Sequence, residues 1–487
     1  MSHPFTATPA SGLDPSLDPN RFKVGTLTYT KASLLMVFLF LLWGDFCFAL
    51  MEMVGPVILP LKFDAIGAPN WALGLIMTTI PNIMNSMINP IISVRSDRFR
   101  SKWGRRIPFL AGATPFLVFF LVLLGYVEPI GRWVQSSVLA GRFSETTVLI
   151  VMIGIFMVCF QFFNLFIVTA YYYLFNDVVP QAFLARFMAL FRIVGGAAGA
   201  GFNFFLLKYA TSHMQEIFLA AGLLYFVAFT MMCWKVKEGN YPPPPPYVGE
   251  KKGFVAALRT YADECFTHRF YWFLFLANAS VAMTWVTGSY TLLYHTKYLG
   301  LSFDFLGKVG AACGVISMIL LYPAGILADR VRPVRVLLLV TCIQACMAPL
   351  GIAFAMMRPG MSMETVTWIF IGLSTIGLPL GTLYAAAELP TLMTLFPKSR
   401  YGQFCSANAL VRSLALIVGG VACGAFLDAV KQLNPAPEYC YRFLSVWNGA
   451  FQACSAFFLI LLYREWKKLG GKDNFMPPLA QPEMDKA

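Results

Sequence analysis

Residues 93–108 read SVRSDRFRSKWGRRIP. Six of these residues are basic (Arg95, Arg98, Arg100, Lys102, Arg105 and Arg106), and Asp97 is the only acid. Apolar stretches at 71–94 and 107–127 flank them. Each is near the ~20 residues needed to cross a bilayer core. A basic turn between two such stretches marks the side on which Lys and Arg are retained, the cytoplasm. The segment therefore predicts a membrane protein and gives it an orientation.

The pattern repeats outward from this point. Apolar stretches at 31–60, 71–94, 107–127, 147–176, 185–208, 216–235, 270–297, 304–328, 334–357, 364–392, 404–430 and 441–463 predict twelve transmembrane helices. Arg330, Arg332 and Arg335 stand between helices 8 and 9, and Arg464, Lys467 and Lys468 follow helix 12. Loops on the other side are mixed in sign, as in Glu128 with Arg132 and Arg142 with Glu145. An even helix count then leaves both termini in the cytoplasm. The expected setting is a bacterial inner membrane, with lipid as the surrounding partner and the chain a monomer.

Composition agrees. Of 487 residues, 58% are hydrophobic and 13% charged, against roughly 25% charged in soluble domains. The net charge of +13 sits in alternate loops, so it signals topology and not nucleic acid. The eleven cysteines lie mostly inside apolar segments and read as small apolar residues, not a disulfide framework. Residues 1–30 are polar, and the first apolar stretch is too long for a signal-peptide core.

The longest polar break, 236–269, holds the run Pro242–Pro246 and then Lys251 and Lys252. It divides the helices six and six, which predicts a tail at 1–30, bundles at 31–235 and 270–463, a cytoplasmic linker between them, and a tail at 464–487. The halves look like copies. Ser93–Arg98 after helix 2 matches Gly325–Arg330 after helix 8, and Arg192 with Gly195, Gly196 and Gly199 matches Arg412 with Gly419, Gly420 and Gly424. The fold class is thus all-α, with two pseudo-symmetric six-helix bundles, as the major facilitator architecture requires.

The 93–108 loop closely resembles that of the glycoside–pentoside–hexuronide symporters, with the sucrose carriers close by. Its Trp103-Gly104-Arg105-Arg106-x-Pro108 tail is the more specific part. Gly44-Asp45-Phe46 resembles a helix 1 motif of melibiose-type carriers, whose Asp contacts sugar, and Ile88-Asn89-Pro90 is a third match. The resemblance implies a sugar or glycoside carrier working by alternating access. It also implies that Asp97, Arg98, Arg105, Arg106, Asp177, Asp329 and Arg330 form a clasp on the cytoplasmic gate; their bland reading is topology signalling alone. Two departures matter. Where melibiose-type carriers place two acids for sodium, this chain has Asn85 and Asn89, and hard cations prefer charged oxygens. Sodium coupling does not carry over, and a proton is the favoured coupling ion. Their helix 4 acid is replaced by Tyr171, Tyr172 and Tyr173. Arg192 matches the family's helix 5 Arg, and Arg412 stands near its helix 11 Lys.

Charge inside a bilayer is costly and usually faces a cavity or a partner. Asp45 and Glu52, two turns apart on helix 1, form a stripe suited to sugar hydroxyls or to a proton, unless they pair with Arg192 or Arg412. Glu388 on helix 10 is a further proton candidate, or a partner for Arg412. Asn85 and Asn89 share a face and either bind hydroxyls or hold helix 2 against helix 11. Gln161, Tyr172, Trp285, Tyr290 and Tyr384 complete the expected substrate-binding set, although most aromatics in such a chain are packing. Gly195/Gly199 and Gly420/Gly424 predict close helix contact. No metal site, cofactor or catalytic constellation is expected; His3, His213, His268 and His295 stand without acid partners in sequence. The alternatives are a lysolipid or other amphiphile transporter, or an uncoupled sugar facilitator.

Overall fold

The structure is a computed structural model that describes residues 21–241, 261–433, 436–471 and 475–478. The Pro242–Pro246 run and the Lys251–Lys252 pair lie outside the described residues.

Among the described residues, twelve long helices make the fold. They are α1 (Lys31–Ala65), α2 (Asn70–Gly74, a π turn at Leu75–Thr79, then Ile80–Arg98), α3 (Ile107–Gly125), α4 (Glu145–Val178), α5 (Gln181–Tyr209) and α6 (Met214–Lys235). The second set is α7 (Arg269–Tyr298), α8 (Phe303–Val331), α9 (Pro333–Met357), α10 (Met363–Leu395), α11 (Tyr401–Lys431) and α12 (Leu444–Lys468). Eleven of them are long and apolar enough to cross a membrane among the described residues. The other, α2, is made more polar by Asn82, Asn85 and Asn89.

The local chemistry explains where helices start. Ser144, Ser302 and Ser362 each accept the backbone N–H three residues on, at Thr147, Phe305 and Thr365, and so begin α4, α8 and α10. Thr30 and Ser33 form a reciprocal capping box ahead of α1. Before it lies an element absent from the expected polar tail: a hairpin of β1 (Arg21–Val24) and β2 (Leu27–Thr30), turned at Gly25 with φ +54°. The Lys23–Thr30 stretch alternates in a way that is visible only once helix 1 is set aside.

Packing repeats with a shift of six helices. The pairs α1–α5, α1–α6, α2–α4, α3–α4 and α3–α6 have counterparts in α7–α11, α7–α12, α8–α10, α9–α10 and α9–α12. Many large side chains point outward, among them Phe116, Phe119, Val151, Ile155, Trp368 and Val418. Apolar surface on this scale belongs in lipid. The two halves meet chiefly through α2 on α11 and α5 on α8. These contacts gather at the end of the molecule remote from the 93–108 loop, so a cleft opens toward the basic-loop end.

Candidate functional site

The N-terminal wall of the cleft holds a cavity of about 580 Å³ lined by α1, α4 and α5, with Asp45, Glu52, Tyr172 and Arg192 among its polar residues. Two turns of helix separate Asp45 from Glu52, which sets both toward the same space. Asp45 is 3% exposed, and its Oδ2 has no hydrogen-bond partner. Gly195 of α5 lies beside it: a Cβ there would stand 3.7 Å from that oxygen, an ordinary contact. Glu52 Oε1 accepts from Asn164 Nδ2 at 3.1 Å. Arg192 forms no ion pair with either acid among the described residues, so the neutralised pair that was the bland alternative is absent.

The C-terminal wall is organised differently. Arg412 Nη1 donates to Glu388 Oε1 at 3.1 Å, and its guanidinium lies 4.0 Å from the Trp285 ring centre. Of the two readings of Glu388, the structure has the ion pair. Tyr384, one turn before Glu388 on α10, is half-buried beside this assembly. An Arg held by a carboxylate and an aromatic face is rigid, with its remaining N–H donors free to serve a ligand.

Several expected residues lie elsewhere. Tyr290 is fully buried and donates its hydroxyl to the Asn70 carbonyl at 2.9 Å, so it belongs to the seal between the halves. Gln161 does not line the cavity; Asn164, one turn on, does not line it either but reaches it through its hydrogen bond to Glu52. Asn89 accepts from Thr169 on α4 at 2.6 Å and donates to Asn85 at 3.3 Å. It ties α2 to α4 and not to α11. The α2–α11 contact is made by Ser86 on Ser413 at 3.1 Å and by Thr79 donating to the Ile417 carbonyl at 2.7 Å.

At the basic-loop end, the clasp residues bond one another within the N-terminal half. Arg105 pairs with Asp177, and Arg106 pairs with Asp97 and donates to Ser96. Arg106 also reaches Asp177 at 3.4 Å and covers the Tyr173 ring at 4.9 Å. Hydrogen bonding to Asp177 holds the Arg105 guanidinium charged beyond its ordinary range. Glu238, just after α6, accepts from the backbone N–H groups of Arg105, Arg106 and Ile107. It supplies from a distance the cap that α3 lacks locally. Gly104 is needed here: its φ is +105°, and a Cβ would lie 2.5 Å from Glu238. Asp329 and Arg330 are exposed at the end of α8, apart from this network, because with the cleft open their half does not reach it.

The remote end carries a seal that sequence reading did not find. Asp428 on α11 accepts from Asn70 N at 3.0 Å, Asn70 Nδ2 at 2.9 Å and Trp71 N at 2.9 Å, capping α2 from the opposite half. Lys297 pairs with Asp64 at 3.0 Å. Beneath them Gly74, Gly420 and Gly424 let α2 and α11 touch backbone to backbone. The signal for Asp428 was a lone acid near the end of an apolar helix. Asn164 had a similar signal, a single amide within Phe162-Phe163-Asn164-Leu165-Phe166.

This geometry can be set beside known proteins. The model of the Major Facilitator Superfamily matches residues 29–420. A bacterial homolog of the human lysosomal transporter Spinster, in an inward-facing state, is 16% identical with TM-score 0.65, covering 92% of this chain and 100% of that one. A bacterial homologue of the iron transporter ferroportin, also inward-facing, is 15% identical with TM-score 0.64, covering 88% and 98%. A D-xylose–proton symporter is 14% identical with TM-score 0.56, covering 88% and 96%. At such identities these likenesses concern the fold. With twelve helices in two matched sets, a cleft between them and a family model matching most of its length, the chain belongs to the Major Facilitator Superfamily and is a multi-pass membrane transporter.

Proposed function

We propose that this transporter carries a sugar or glycoside by alternating access, driven by a proton. The observation that carries the reading is the cavity on the N-terminal wall, where Asp45 keeps a buried oxygen without a partner beside Glu52 and Arg192. A carboxylate so placed can accept a substrate hydroxyl or take up a proton, and Arg192 offers a fork of donors. Arg412, braced by Glu388 and Trp285, offers further donors on the other half. Sugar recognition calls for this mixture of charged groups and aromatic faces. The likeness of the 93–108 loop and of Gly44-Asp45-Phe46 to symporters of the glycoside–pentoside–hexuronide type supports the substrate class. If the basic-loop end is cytoplasmic, the cleft is open inward.

Uptake of labelled sugars into proteoliposomes, with and without an inward proton gradient, tests both clauses. The expected result is gradient-driven accumulation that Asp45→Asn abolishes, with exchange down a sugar gradient retained. Uptake indifferent to the gradient removes the proton and leaves a facilitator. Uptake of no sugar, with binding of a fluorescent lysolipid, replaces the substrate class by an amphiphile.

A further inference from the structure

The C-terminal bundle contains an open hollow of about 540 Å³ lined by α7, α9, α10 and α12. Such a volume lies within the range of small-molecule sites, about 300–1,000 Å³. The fold does not demand a hollow here. Beside a smaller cavity of about 390 Å³ at the remote ends of α1 and α6, the matching interior of the N-terminal bundle, between α1, α3, α4 and α6, is packed. Ile58, Leu59, Leu117, Leu121, Ile153 and Phe218 fill it, each fully buried. Two bundles built by the same helix pairing thus differ in the space they leave and in where it lies, about 540 Å³ in one and about 390 Å³ in the other.

The lining explains what the space suits. No Asp, Glu, Lys or Arg borders it. Thr284, Thr287 and Thr291 on α7, Ser374 on α10, Gln344 on α9, and Asn448 and Gln452 on α12 supply neutral donors and acceptors from all four walls. Their amides are fixed in advance. Gln452 Nε2 donates to Gln344 Oε1 at 2.8 Å, and Thr287 donates to Asn448 Oδ1 at 3.1 Å. The first bond leaves the Gln344 amide N–H₂ and the Gln452 carbonyl for a ligand, and the second leaves the Asn448 N–H₂. Aromatic faces close the site, with Phe370 packed on His295 at 5.0 Å and Tyr294 beside it. Converging uncharged hydrogen-bonding groups with aromatic walls match a ring that bears many hydroxyls. A charged ligand would find no counter-ion.

We propose that this hollow is a second binding site, separate in chemistry from the charged cavity of the N-terminal wall, which takes a neutral hydroxyl-bearing molecule of sugar-ring size. It differs from the Asp45 site in that it needs no proton and no ion pair. The proposal rests on the sugar-carrier reading for its choice of probes only.

The test is equilibrium binding of labelled sucrose, glucose and xylitol to the full chain in nanodiscs, alongside proteoliposome uptake. Asn448→Leu and Gln344→Leu remove the polar walls at nearly constant volume, and Gly351→Leu fills the space. Expected is a component of binding that is insensitive to pH, survives Asp45→Asn and weakens at least tenfold in each of the three variants. Retained folding is checked by the thermal transition, and a variant that fails to fold is replaced by Ser374→Val. Binding without uptake would sink the carrier reading and leave the site standing. Uptake with binding unchanged in all three variants would sink the site and leave the carrier. Binding of none of the three probes to the native chain would overturn the site.

Discussion

Gly104 and Asp45 show how single residues hold this molecule's working parts. Gly104 sits at φ +105° against Glu238, a place where any side chain meets both backbone strain and a collision. Gly104→Ala is expected to cost about 1–3 kcal/mol and to detach Glu238 from the start of α3. Thermal unfolding in detergent should show a lowered transition, and an unchanged transition would refute the role. Asp45 was visible in the sequence as a charge within an apolar stretch. Its partner-free oxygen was not, because that depends on how α5 packs on α1 and on Arg192 standing off. For the same reason Asn164 was passed over in favour of Gln161. Both are amides in one apolar helix, and only the angle at which α4 meets α1 separates them.

At the scale of elements, the α2–α11 contact joins the two halves. Asp428 caps α2 in trans with three hydrogen bonds, and loss of a helix cap costs about 0.5–2 kcal/mol. That is enough to shift a two-state equilibrium up to about thirtyfold. Asp428→Ala should therefore populate forms in which the remote end parts. Cys423 and Cys440, both buried beside this seal, serve as native reporters. A membrane-impermeant maleimide added from the remote face should label them several times faster in the variant, and equal labelling would exclude Asp428 as a latch. The helices themselves were legible from apolar length and Ser caps. The cap given to α2 by α11 was not, since its two partners stand 358 positions apart.

For the whole molecule, closure at the remote end depends on backbones touching. A Cβ at Gly424 would lie 2.4 Å from the Asn70 carbonyl oxygen, and one at Gly420 would lie 2.7 Å from the Gly74 carbonyl oxygen. Gly424→Val cannot be accommodated by moving a flexible side chain; the halves must separate. This variant is expected to hold the protein open at the remote end, abolishing transport while retaining ligand binding from that side. Spin-label distances across the two ends should lengthen at the remote end and shorten at the basic-loop end. Unchanged distances would mean that the halves do not rock about this contact.

The order of apolar and basic segments by itself determined a twelve-helix membrane protein in two copies, because a bilayer admits few other solutions for such a chain. It also marked which charged residues needed a reason. Tertiary structure alone decided which of them meet: Glu388 with Arg412, Arg105 with Asp177, Asp428 with α2, and Tyr290 with the seal instead of the cleft. Helical period states which face a residue shares, whereas partners across a cleft are fixed by the packing of whole bundles. The larger, uncharged hollow of the C-terminal bundle is likewise a property of packing that no single helix records.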